Sequence, residues 1–187
     1  MKFYFNKKEY ERTFLQPGGY VGKIVNVAAI EGETIKVFFD IEQGEHKGIY
    51  MKEYKNAGGG TSFDASKWSK KATVNFNFKY KGAKFAFADL LNNLEKSNQT
   101  FKWNNETDDL KNKLIGVVYR KNIYDDKFGE RREGTDFPTF TTVKNIADGN
   151  FSIDPVEKEE KTDNTTSSAP FANVTEGYSV SDDDIQF

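Results

Sequence analysis

The sequence predicts an all-β fold, a five-stranded barrel with one helix, followed by an acidic tail. Three observations carry that expectation. Among 187 residues there are 17 Phe, 9 Tyr and 2 Trp against six Leu, a bias that suits pleated strands better than helical bundles. Several short runs alternate apolar and polar residues between turn-forming Gly, Pro and Asn, and only one stretch has helical spacing.

The first strand is expected over Tyr20 to Ala29, after the turn-forming Pro17-Gly18-Gly19. A second, Thr34 to Ile41, alternates cleanly: Ile35, Val37, Phe39 and Ile41 face one way, and Thr34, Lys36, Phe38 and Asp40 the other. A third is read over Gly48 to Tyr54, with Ile49 and Met51 opposite Tyr50, Lys52 and Tyr54. Beyond Gly58-Gly59-Gly60, Val74, Phe76, Phe78 and Tyr80 alternate with Asn and Lys and suggest an extra strand. Phe87, Leu90, Leu91 and Leu94 place a helix over Phe85 to Lys96, ended by Ser97-Asn98. A fourth strand follows over Lys113 to Tyr124, then a basic loop, then a fifth strand over Phe137 to Ile146. Three strands, a helix and two strands is the order of a Greek-key OB-fold barrel, in which closure removes the sheet's edges.

Charge divides the chain into a domain over residues 1–153 and a tail over 154–187. The tail holds nine acidic residues and two Lys; the body holds 25 basic and 20 acidic, which together give the overall −2. The tail has little to bury and is expected to stay disordered, with a mean reach of roughly 30 to 35 Å. The absence of Cys and the single His46 leave no thiolate or poly-histidine site, so no cofactor, metal or catalytic residue is expected. No apolar run approaches a membrane span, and charged residues follow Met1 where a signal core would lie. A soluble cytoplasmic protein with no membrane partner is the expectation.

The outward sides of the second and third strands suggest a binding face. Lys36 and Phe38 beside Tyr50, Lys52 and Tyr54 would combine rings that stack on bases with cations that track phosphates, the pairing single-stranded nucleic acid requires. The same rings could instead cover the barrel under the long loops. Lys127, Phe128, Arg131 and Arg132 form a second candidate, in the loop where such barrels extend their groove.

The chain stops at Asp182-Asp183-Asp184-Ile185-Gln186-Phe187. A terminal ring with its carboxylate, behind three Asp, suits an apolar pocket rimmed by Lys or Arg. This ending resembles the tip of bacterial single-stranded DNA-binding proteins, Asp-Asp-Asp-Ile-Pro-Phe, with Gln186 where that family has Pro. The body is similar to the corresponding proteins of phages and prophages of Gram-positive bacteria. That similarity lies in Glu95-Lys96-Ser97-Asn98, Phe101-Lys102-Trp103 and Leu110-Lys111-Asn112-Lys113-Leu114-Ile115-Gly116. The resemblance implies an OB fold, sequence-tolerant binding of single-stranded DNA, and recruitment of replication, recombination or repair proteins by residues 182–187. Related proteins commonly assemble through their barrels, so a homo-oligomer is a further expectation.

Two alternatives come from other function classes. Asp40 with Glu53-Tyr54-Lys55 has the spacing of a magnesium-dependent nuclease, although the alternation puts Asp40 outside and Glu53 inside. The other is an adaptor whose barrel binds protein.

Overall fold

One long strand organises the computed structural model, which describes residues 15–30, 33–125 and 127–155. β1 (Gly18–Ile30) pairs with two neighbours. Gly18 to Lys23 runs antiparallel to β4 (Leu114–Tyr119), and Gly22 to Ile30 antiparallel to β2 (Thr34–Ile41). Between Ile24 and Asn26 the register with β2 shifts, which leaves Val25 over as a bulge. A bulge bends its strand and increases the twist. At Gly22, shared by both ladders, a β-carbon would stand 2.7 Å from Val117 Cγ2, so only glycine allows the strands to approach this closely.

With β3 (Thr73–Asn77) and β7 (Thr139–Thr141), the sheet order is β3-β2-β1-β4-β7, antiparallel throughout. Three successive strands with the fourth returned beside the first is Greek-key order. The sheet curls into a half-barrel. Its inward side contributes Ile24, Val37, Phe39, Ile41, Phe76, Ile115 and Val117 to the core. Each such side chain contributes about 1.5 to 3 kcal/mol by leaving water.

α2 (Lys81–Ser97) connects β3 to β4 and buries Ala83, Phe87, Leu90 and Leu94, spaced 4, 3 and 4. The Phe87 ring meets Phe76 at 5.2 Å and Phe78 at 5.4 Å. The Asn98 side chain donates to the carbonyls of Leu94 (2.8 Å) and Leu114 (2.9 Å) and accepts from the Leu114 amide (3.0 Å), tying the helix end to β4. Glu95 accepts from Lys102 Nζ (2.8 Å) and the Trp103 amide (3.0 Å), and Ser97 Oγ accepts from the Val143 amide (3.0 Å). Glu95, Ser97 and Asn98 thus clamp the end of α2 to the segments that follow it. Among the described residues, no helix is long and apolar enough to cross a membrane.

Three expected elements differ. The third strand, Gly48 to Tyr54, is instead helix α1 (Ile49–Asn56), and the sheet's third strand is β3. Tyr50 and Tyr54 are four residues apart, which puts them on one face of a strand or of a helix alike. A carboxylate outside the segment selects the helix: Asp40 accepts from the amides of Tyr50 (Oδ1, 3.0 Å) and Met51 (Oδ2, 3.0 Å), while Gly48 at the N-cap has no side chain to do so. The fourth strand breaks at Arg120. Its continuation β5 (Lys121–Asp125) leaves the main sheet and pairs with β6 (Arg131–Thr135), so Arg131 and Arg132 lie on a strand. The fifth strand shrinks to β7 because Thr142 Oγ1 accepts from the Asn145 amide (3.0 Å) and caps α3 (Val143–Ala147).

Candidate nucleic-acid interface

Residues directly opposed in an antiparallel ladder point to the same face. On the outer side of β1, β2 and β3, the register therefore builds three rows: Asn26, Phe38 and Thr73; Ala28, Lys36 and Asn75; Ile30, Thr34 and Asn77. Of the expected binding face these rows hold Lys36 and Phe38, since Tyr50, Lys52 and Tyr54 lie on α1, and the Phe38 row is covered. The chain between β2 and β3 folds back as α1 and two short 3-10 turns, bringing Tyr54, Phe63 and Trp68 over it.

The contacts are internal and specific. Phe63 meets Phe38 at 4.9 Å and stacks on Tyr54 at 5.7 Å and 13°, and Trp68 closes the group at 5.5 Å from Tyr54 and 5.3 Å from Phe63. Tyr54 Oη donates to the Ser62 carbonyl (2.9 Å) and accepts from the Asp64 amide (2.9 Å). The Tyr54 ring also lies against Gly59, where a β-carbon would come within 2.3 Å of it. Phe38, Tyr50 and Tyr54 are 2%, 3% and 3% exposed, so none of these expected stacking rings reaches solvent. Of the five residues on that expected face, Lys36 remains half-exposed on the sheet, and Lys52 is exposed on α1, away from it.

Asp40, the last outward residue of β2, is also buried. Besides its two bonds to α1, its Oδ1 accepts from the Ile41 amide at 2.8 Å. Burial pushes its carboxyl above the ordinary range, outweighing the three amides that favour the ionised form. Both oxygens are thus committed to backbone, which leaves poor provision for a metal ion shared with Glu53. Among the described residues, no group of three or more His, Asp or Glu is arranged to hold a metal.

The second candidate lies outside the five-stranded sheet. β5 and β6 form a two-stranded hairpin whose register sets Tyr124 opposite Arg132 and Asn122 opposite Gly134 on one face. The Tyr124 ring is 49% exposed and leans over Gly134. At the tip, Phe128 is 77% exposed with Lys127 Nζ 5.0 Å from its centroid, and Arg132 pairs with Glu130 at 2.5 Å. Lys127, Phe128, Arg131 and Arg132 are all exposed and belong to this one element.

Three further exposed rings, Tyr124, Tyr80 and Phe85, are not among the site residues expected from the sequence. Tyr124 was absorbed into the expected fourth strand, and its pairing with Arg132 depends on where the hairpin turns. Tyr80 is 66% exposed just after β3, and Phe85 is exposed with Lys81 Nζ 5.7 Å from its ring. This corner adjoins the β1–β2 turn: the Phe78 amide donates to the Glu33 carbonyl (2.7 Å), and Lys79 pairs with Glu33 (3.0 Å). The interspersed Lys79, Lys81 and Lys84 were the available signal. The partner-binding residues Asp182, Asp183, Asp184, Ile185, Gln186 and Phe187 lie outside the described residues. No protein-family model matches the chain, and no curated protein matches it significantly.

Proposed function

We propose that this protein binds single-stranded DNA without sequence preference through an OB-type barrel, and that residues 182–187 recruit replication, recombination or repair proteins. The observation that carries the reading is topological. β1, β2 and β3 precede α2, β4 returns beside β1, and an exposed hairpin occupies the β4–β7 connection. In OB folds the faces of strands 2 and 3, with the loops after strands 1 and 4, take up oligonucleotides. Here those places offer Lys36 and Asn75 on the sheet, Tyr80 beside the β1–β2 turn, and Tyr124, Lys127, Phe128 and Arg132 on the hairpin. The proposed contact surface thus avoids the covered aromatic cluster and uses rings already exposed.

The likeness of residues 182–187 to the bacterial tip supports the recruiting role, and a phage or prophage origin rests on that likeness and on the body motifs. Fluorescence titration with poly-dT, duplex DNA and RNA at two salt concentrations, with and without magnesium, tests the proposal. Salt-sensitive preference for poly-dT without cleavage is expected. Cleavage that needs magnesium and is lost in Asp40→Ala would replace this reading with a nuclease, and absence of binding would favour an adaptor.

A further inference from the structure

We propose that the outer edge of β6 pairs with the same edge of a second copy of this chain, joining two hairpins into a four-stranded antiparallel sheet. The hairpin is an unusual element to leave alone. Two strands in isolation are marginally stable in water, and among the described residues no third strand joins β5 or β6.

Hydrogen-bond parity says which groups are available. At the hairpin base the Asp136 amide donates to the Arg120 carbonyl (2.9 Å), so the bonded pairs continue at Asn122–Gly134 and Tyr124–Arg132. The amides and carbonyls of Arg131 and Glu133 consequently point away from β5. The outer edge of β5 is already engaged at its start, where the Lys121 amide donates to the Ile153 carbonyl (2.9 Å). At the end of β6 Thr135 Oγ1 donates to the Leu15 carbonyl (3.3 Å), but among the described residues no backbone bond engages the outward groups of Arg131 and Glu133, so the middle of β6 is the edge open to a strand.

Its charge pattern selects a second copy. Residues 121–135 carry four basic and four acidic side chains, so two hairpins meet without net repulsion. A two-fold axis through Arg132 would set Arg131 against Glu133 of the other copy, and Glu133 against its Arg131. Such a contact is self-complementary, as a two-fold interface must be. Four backbone bonds would form between those residues, and the opposed charges would share one face. The Arg132 side chains would meet on the other face, each accompanied by its own Glu130 at 2.5 Å. Charged residues on an exposed edge ordinarily discourage pairing. Here opposite signs two residues apart convert that obstacle into a register. Tyr124, on β5 and one strand in from the seam, stays uncovered.

Sedimentation velocity of the full-length, DNA-free chain over a concentration series tests this independently of DNA binding. The wild type is expected to self-associate, more weakly as salt rises. Arg131→Glu and Glu133→Arg should each weaken association by roughly tenfold or more, because two attractions become two repulsions. The double reversal should restore it. Glu133→Pro, which removes an outward amide that β5 does not use, should abolish association, with circular dichroism verifying the fold. A wild type that stays monomeric overturns the proposal. So does a double reversal no tighter than the single variants, or association that survives Glu133→Pro.

Discussion

The Tyr50 hydroxyl donates to the Tyr119 hydroxyl 2.8 Å away, because Tyr119 already gives its one proton to the Lys71 carbonyl at 2.7 Å. This relay joins α1, β4 and the approach to β3. Burial pushes both phenols well above the ordinary tyrosine range, so both remain neutral donors.

Removing the two hydroxyls should therefore have unequal effects. Tyr119→Phe removes both the hydroxyl that donates to the Lys71 carbonyl and the acceptor of the Tyr50 proton, and should cost about 2 to 3 kcal/mol. Tyr50→Phe spares the Tyr119–Lys71 bond and should cost about 1 kcal/mol. Urea unfolding of the two variants checks the order, and equal losses would contradict the proton assignment.

Stability and DNA binding should separate by ring. Phe38→Ala opens a cavity under Phe63 and should cost about 3 to 5 kcal/mol of stability, while folded protein keeps its affinity for poly-dT. Tyr80→Ala and Tyr124→Ala should change stability by about 0.5 kcal/mol or less and weaken poly-dT binding by about 1 to 3 kcal/mol each. Affinity that falls for Phe38→Ala in folded protein, and for neither exposed ring, would return the contact to the covered face.

Gly59→Ala is expected to loosen the α1 cover, because the added methyl would overlap the Tyr54 ring. A cost of about 1 to 3 kcal/mol is expected from overpacking. Thermal unfolding against the neighbouring Gly60→Ala, whose β-carbon meets nothing within 4 Å, provides the comparison.

Asp40 gives a pH signature. The folded state holds its proton more tightly than the unfolded chain, so its contribution is complete below the ordinary carboxylate range and is lost as pH rises through the raised value. Glu42 has the opposite sign. Hydrogen bonds from Lys23 and Lys47 hold its carboxylate below the ordinary range, and its contribution is lost as pH falls. Unfolding free energies measured across the acid range should show the gap between wild type and Asp40→Asn widening as pH falls. A narrowing gap would reverse the assigned sign.

Deleting residues 181–187 should leave poly-dT affinity unchanged or slightly higher, since an acidic segment competes with phosphate for cations. Recovery of replication or repair proteins from host extract should fall sharply, and Phe187→Ala alone should account for much of that loss. Equal recovery by all three proteins would reduce the tail to a solubilising appendage.

Elements whose own periodicity is unambiguous are legible in the amino-acid sequence. β2 was legible because four apolar residues alternate without interruption between turns, and α2 because Phe87, Leu90 and Leu94 recur at helical spacing. Their order also anticipated a curled antiparallel sheet. Tertiary structure alone decided α1, because Tyr50 and Tyr54 satisfy both periods and the carboxylate that selects the helix comes from Asp40 on another strand. It also decided that Phe38 lies beneath Phe63, and that strand pairing changes partners at Arg120. The physical reason is common to all three: periodicity reports which side chains share a face, whereas burial of that face depends on distant segments brought against it.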